Sequence, residues 1–162
     1  MMLLVINILL FIASFWFMEF MAWFTHKYVM HGFLWSLHKD HHKKDHYGFF
    51  EKNDVFFLIF AVPSWLCIML GVMYQAYSAV SIGFGIAAYG FVYFLVHEIF
   101  IHQRFKWIKR FKWIRNIKNN YFKAIRRAHK IHHKHLERSP GECFGMLIVP
   151  RKYFKESKKS VN

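Results

Sequence analysis

The chain predicts an all-α fold: an integral membrane helical bundle with a histidine-rich face and an amphipathic helix in the interface. Two observations carry this. Apolar runs free of Lys and Arg alternate with basic blocks, and twelve histidines fall into two groups far apart in sequence. The chain is 56% hydrophobic and 21% aromatic, yet its formal charge is +14. A soluble domain of 162 residues could not bury that much apolar surface. Segregation resolves the conflict. No Lys or Arg precedes Lys27, and none lies between Asn53 and Gln103. Such alternation is how a membrane protein reads.

The first span covers residues 3–24. At about 1.5 Å per residue, residues 1–24 reach roughly 36 Å, enough for a hydrocarbon core of about 30 Å. With no basic n-region and a long apolar run, no cleavable signal is expected. Glu19 interrupts the span near its end, either wet at the interface or turned inward to a partner. It precedes His26 by two helical turns, so the two point the same way. His31-Gly32 marks a helix end or bend, and Gly48 another break. The second span, 55–74, contains Pro63, expected to kink it. After an uncharged loop at Gln75 to Ser78, the third span, 77–97, carries Gly83, Gly85 and Gly90, which permit close helix approach. Three spans bring every histidine group to one face. The positive-inside rule makes that face cytoplasmic and the N-terminus external.

From Arg104 to Arg127, Trp107, Ile108, Phe111, Ile114, Ile117, Tyr121 and Ile125 recur at helical spacing against Lys and Arg. This predicts an amphipathic helix over 104–127, held by anionic lipid. A nucleic-acid partner is not expected for a chain already at a membrane. Ser139-Pro140-Gly141 reads as a turn, and Phe144 to Val149 as a short apolar segment. Residues 1–150 form one membrane-embedded domain, with 151–162 a basic tail. Cys67 and Cys143 read as reduced, packing residues.

The histidine spacing repeats. His26-x4-His31 is followed by His38-x2-His41-His42, and His97-x4-His102 by His129-x2-His132-His133. In each triplet the i, i+3 and i+4 positions share one helical face. The x4 pairs sit roughly 140° apart on an ideal helix and converge only near a helix end. His46 and His135 fall outside the pattern and read as surface residues. Clustered neutral imidazoles bind Zn, Fe, Cu or Ni, and ten of them suit two ions of about five ligands each. Structural zinc sites are four-coordinate and usually cysteine-rich, unlike this set. His97-Glu98 to His102 is one residue too long for the HExxH zinc helix. The Glu-x-x-His pattern of soluble di-iron bundles does not occur. A non-catalytic metal transporter would place ionisable residues mid-span, and the second and third spans have none.

These segments resemble the bacterial β-carotene hydroxylases, within the membrane fatty-acid hydroxylase superfamily of histidine-rich di-iron enzymes. The resemblance rests on His26-Lys27-Tyr28-Val29-Met30-His31-Gly32, the first HxxHH, and Phe50-Glu51-Lys52-Asn53-Asp54. It continues through His97-Glu98-x3-His102-Gln103-Arg104 and Ala128-His129-x2-His132-His133 to a weaker match at Gly141-Glu142-Cys143-Phe144-Gly145. It covers almost the whole chain and departs at Lys43 to His46, which is more basic. Members are often described with four spans rather than three. The resemblance implies that His26, His31, His38, His41, His42, His97, His102, His129, His132 and His133 ligate two Fe ions. Glu19, Asp40, Glu98 or Asp54 would orient them. It also implies O2-dependent hydroxylation at C3 of a β-ionone ring, taking β-carotene through β-cryptoxanthin to zeaxanthin. The lipophilic carotenoid would enter from the bilayer of a bacterial inner membrane. Two electrons per hydroxyl would come from a ferredoxin or an NAD(P)H-linked reductase, since no G-x-G-x-x-G dinucleotide motif is present. Rivals within the superfamily are sterol or fatty-acyl hydroxylases and desaturases and carotenoid ketolases; box spacing and length argue against them.

Overall fold

A computed structural model describes residues 1–43, 48–105, 107, 110, 111, 114, 117–136 and 142–155. Among the described residues there is helix and no strand. Helix α1 (Met2–Phe24) continues into a π-helical segment, π1 (Thr25–Phe33). Then come α2 (Trp35–His42), a 3₁₀ turn (Lys52–Asp54) and α3 (Val55–Met73). Helix α4 (Tyr77–Phe94) runs into a second π-helical segment, π2 (Leu95–Ile101). Last are α5 (Asn120–Lys134) and the short α6 (Lys152–Lys155).

The three expected spans are α1, α3 and α4. With their continuations they are the three helices long and apolar enough to cross a bilayer. Large apolar side chains such as Leu3, Trp16, Phe57, Trp65, Phe84 and Phe91 point outward. An apolar surface this extensive suits lipid, not water. The chain is a helical membrane protein.

Packing divides the chain into two compact units, Met1–Met21 with Ser36–Val92, and Ala22–Trp35 with Tyr93–Asn162. In the first, α4 packs on both other spans through small residues. A Cβ at Gly85 would collide with Ser14 Oγ of α1, and one at Gly83 would stand 2.9 Å from the Ser64 carbonyl of α3. Gly90 is different: nothing lies within 4 Å of its would-be Cβ, so it serves no such approach. Pro63 lies inside α3. That helix ends in a Schellman pair, Ala76 N–H to Gly71 C=O at 2.8 Å and Gln75 N–H to Val72 C=O at 3.3 Å, with Gln75 at φ 56°. Glu19 is turned inward. It is 3% exposed and accepts a 2.7 Å hydrogen bond from the Tyr89 hydroxyl of α4.

The second unit holds π1, π2, α5 and the C-terminal segment. The amphipathic helix expected over 104–127 is interrupted among the described residues, and its last part extends further, to Lys134. Residues 102–105 and 117–119 are not helical. Two local causes act. Gln103 takes a left-handed φ of 48°, which stops π2 from continuing. Asn119 then caps a new helix, its side chain accepting from the N–H groups of Tyr121 (2.8 Å) and Phe122 (3.4 Å). Helix α5 buries Ala124, Ile125, Ala128, His129 and His132 on one face. Ala124 and Ala128 pack against Tyr153 of α6. The Tyr121 hydroxyl donates to the Leu147 carbonyl at 2.6 Å, and Lys152 pairs with Glu142. Cys67 and Cys143 are both free thiols. His46 and the expected 139–141 turn lie outside the described residues.

Candidate metal centre

The two x4 pairs lie on the two π-helical segments. An i→i+5 hydrogen bond closes a wider turn and brings residue i+5 back over residue i. Such bonds run from Leu34 N–H to Val29 C=O at 3.0 Å and from His102 N–H to His97 C=O at 2.9 Å. As a result the His26 and His31 ring centroids are 5.1 Å apart, and those of His97 and His102 are 4.5 Å apart. Gly32 bends the chain out of π1 at φ −111°, ψ −124°, as the His-Gly step predicts.

In the second unit the histidines form two clusters. The first joins His26 and His31 of π1 to His132 of α5. One nitrogen from each lies within 4.8 Å of the others, and His132 is fully buried. The Nδ1 atoms are held by main-chain carbonyls: His26 by Phe144 (2.9 Å), His31 by Leu136 (2.9 Å) and His132 by Glu142 (3.0 Å). A carbonyl can only accept, so each Nδ1 carries the proton and each Nε2 presents a lone pair. The Nε2 atoms of His31 and His132 are 3.2 Å apart. Two lone pairs at that distance repel unless they share a cation. Ligand nitrogens about 2.1 Å from one ion are about 3.0–3.4 Å apart at right-angled to tetrahedral geometry. The donor set therefore fits a metal ion.

The second cluster joins His97 of π2 and His102, which caps its end, to His129 and His133 of α5. Ring centroids lie 4.8 Å apart for His97–His129, 5.0 Å for His102–His133 and 4.4 Å for His129–His133. The Nε2 atoms of His102 and His129 are 2.8 Å apart. Here a side chain holds the ligand. His97 Nδ1 donates to Glu98 Oε1 at 2.7 Å, and the other oxygen of Glu98 accepts from Arg104 at 3.2 Å. Burial, with the neighbouring His97, His102, His133 and His132, pushes His129 well below the usual histidine range. Burial, then His97 and His31, lowers His133 to about 4. Both rings are neutral at physiological pH, the form that ligates metal.

In the first unit, His38, His41 and His42 occupy the last turn of α2. The Nε2 atoms of His38 and His42 are 3.1 Å apart. His38 Nδ1 donates to Asn53 Oδ1 at 2.6 Å, and His41 Nδ1 to Glu51 Oε2 at 2.9 Å. Asn53 lies in the 3₁₀ turn and Glu51 just before it, and the turn is fixed by Glu51 N–H to Asp54 Oδ2 (3.0 Å) and Lys52 N–H to Asp40 Oδ2 (2.6 Å). Of the four carboxylates expected to orient ligands, Glu98 meets a histidine directly, while Asp40 and Asp54 brace the turn. Glu51 and Asn53 were missed. Their segment stands out in sequence, but nothing local says which of its side chains reach back ten and fifteen residues to the histidines. His135, at the end of α5, is exposed, as expected for a residue outside the pattern.

Fold and site together define a helical membrane protein whose histidine clusters suit a transition metal. The chain belongs to the fatty acid hydroxylase family, whose model matches residues 11–150. It is 37% identical to a β-carotene hydroxylase of Pseudescherichia vulneris, over 89% of this chain and 77% of that protein. A β-carotene hydroxylase of Pantoea ananas is 38% identical, over 82% and 71% of the two chains. One from a Paracoccus species is 33% identical, over 89% and 85%. No solved structure matches. Histidine clusters on a chain of a hydroxylase family fit iron as the metal.

Proposed function

We propose that the protein is a β-carotene 3-hydroxylase, an O2-dependent monooxygenase that converts β-carotene to zeaxanthin through β-cryptoxanthin. The observation that carries the metal-dependent part is the pair of lone-pair Nε2 atoms of His31 and His132, 3.2 Å apart. The relatives carry the substrate. Two iron ions would be held by the ten histidines His26, His31, His38, His41, His42, His97, His102, His129, His132 and His133, within a single hydroxylase domain over 1–150. Bound iron supplies the O2 activation that an unactivated C–H bond requires. The protein's part is to keep the imidazoles neutral and aimed. Burial and the neighbouring histidines keep them neutral, and Glu98, Glu51, Asn53 and the carbonyls of Leu136, Glu142 and Phe144 aim them.

The histidine-bearing segments π1 and π2 follow directly on α1 and α4, so the chemistry sits where the hydrocarbon ends. A lipophilic ring reaches it from the bilayer. Charge distribution favours an inner-membrane protein with its histidines on the cytoplasmic side. Electrons come from a ferredoxin or an NAD(P)H-linked reductase docking on that basic face.

The family's own description favours a fatty-acyl substrate as the second reading. Expression in cells that accumulate β-carotene separates the two. Zeaxanthin and β-cryptoxanthin in the pigment chromatogram are expected. Unchanged β-carotene beside iron-loaded protein and electron donor, with hydroxylated acyl chains in the lipids, would favour the second.

A further inference from the structure

Arg126 lies on α5, three residues before His129, and its guanidinium reaches to π2. Nη2 donates to the Phe100 carbonyl at 3.1 Å and to the Ile114 carbonyl at 3.3 Å. Cζ stands 4.2 Å from the centroid of the Phe100 ring. Phe100 is 6% exposed and lies between His97 and His102 in sequence. It forms an apolar cluster with Ile114, against which Ile99, Phe105, Ile117 and Phe122 pack. The last carbonyls of a helix have no partner within it. Phe100 is next to the last residue of π2, and the guanidinium serves its carbonyl.

An apolar side chain would fill this place without the cost of desolvating a charge. What a guanidinium adds is a planar fork that bonds two carbonyls while stacking on a ring. Both carbonyls belong to main chain, so the grip sets backbone position. We infer that Arg126 is a positioning residue of the metal centre: its hold on Phe100 fixes the spacing between the His97–His102 pair of π2 and the His129–His133 pair of α5. This rests on the metal-binding reading proposed above.

The test uses the full-length protein in detergent, stripped of metal and titrated with Co(II). The visible absorption of bound cobalt reports affinity and geometry, and circular dichroism reports helicity. Arg126→Met is expected to keep its helicity and to bind cobalt about tenfold more weakly, with an altered spectrum. Arg126→Lys restores part of the affinity, because it keeps the charge and one carbonyl bond. Lys130→Met removes the same charge from an exposed site on α5 and titrates like wild type. Wild-type affinity and spectrum in Arg126→Met overturn the proposal, as does an equal loss in Lys130→Met. If Arg126→Met loses its helicity, Arg126→Lys decides, and a wild-type titration there overturns it. A wild-type protein that binds no cobalt refutes the metal reading itself.

Discussion

The His26 cluster and the His97 cluster begin from the same x4 spacing on the same kind of helix, yet their ligands are held by different means. His26, His31 and His132 give their Nδ1 protons to main-chain carbonyls at positions 144, 136 and 142. His97 gives its proton to the Glu98 carboxylate, as His41 of the first unit does to Glu51. A carbonyl is supplied by any residue, so the first cluster depends on the path of the C-terminal segment and not on its side chains. A carboxylate is supplied only by Asp or Glu, so the second depends on identity at one position. Identical spacing therefore conceals two sensitivities to mutation.

The largest expected effect removes a ligand. His132→Ala takes out a fully buried imidazole whose Nε2 faces that of His31. Carotenoid product should fall at least about a hundredfold, beyond what changes around a ligand usually cost. Chromatography of pigments from cells expressing the variant measures this, and retained activity would remove His132 from the ligand set.

Next comes the carboxylate. Glu98→Gln keeps the size and loses the charge that orients His97 and pairs with Arg104. Metal affinity should fall about tenfold or more by titration of the stripped protein. A variant binding as wild type would erase the proposed difference between the clusters.

A third outcome is a pH dependence. His133 has a folded-state value of about 4, below the ordinary 6.5 that it regains on unfolding. Between these values the unfolded chain binds the extra proton. Its contribution to metal-free stability is therefore complete above about pH 6.5 and declines as pH falls toward 4. Melting curves should show wild type losing Tm over that window relative to His133→Gln. Parallel curves would contradict the buried, neutral ring.

The smallest effect is expected at Glu142. Only its main-chain carbonyl holds His132, and its side chain makes a partly exposed pair with Lys152. Glu142→Gln should cost less than about 1 kcal/mol and leave metal affinity near wild type. A tenfold loss of affinity there would mean that the side chain, and not the backbone, sets His132.

Much was determined by the sequence alone. The spans α1, α3 and α4 follow from uncharged apolar runs of membrane length, a property of each segment by itself. The i, i+3 and i+4 positions of His129, His132 and His133 share a face on any helix, so the triplets were legible as well. The inward turn of Glu19 was one of two outcomes left open, and its partner Tyr89 lies seventy residues away. Tertiary structure decided the rest, because those features depend on contacts distant in sequence or on a departure from ideal helix geometry. The π-helical turns that bring His31 over His26 and His102 over His97 replace the α-helical geometry that would keep each pair apart. The end of π2 at a left-handed Gln103 and the start of α5 behind a capping Asn119 are both features that helical periodicity passes over. The pairing of Nδ1 atoms with the carbonyls of Leu136, Glu142 and Phe144 leaves no mark on side-chain chemistry, because every residue carries the same carbonyl.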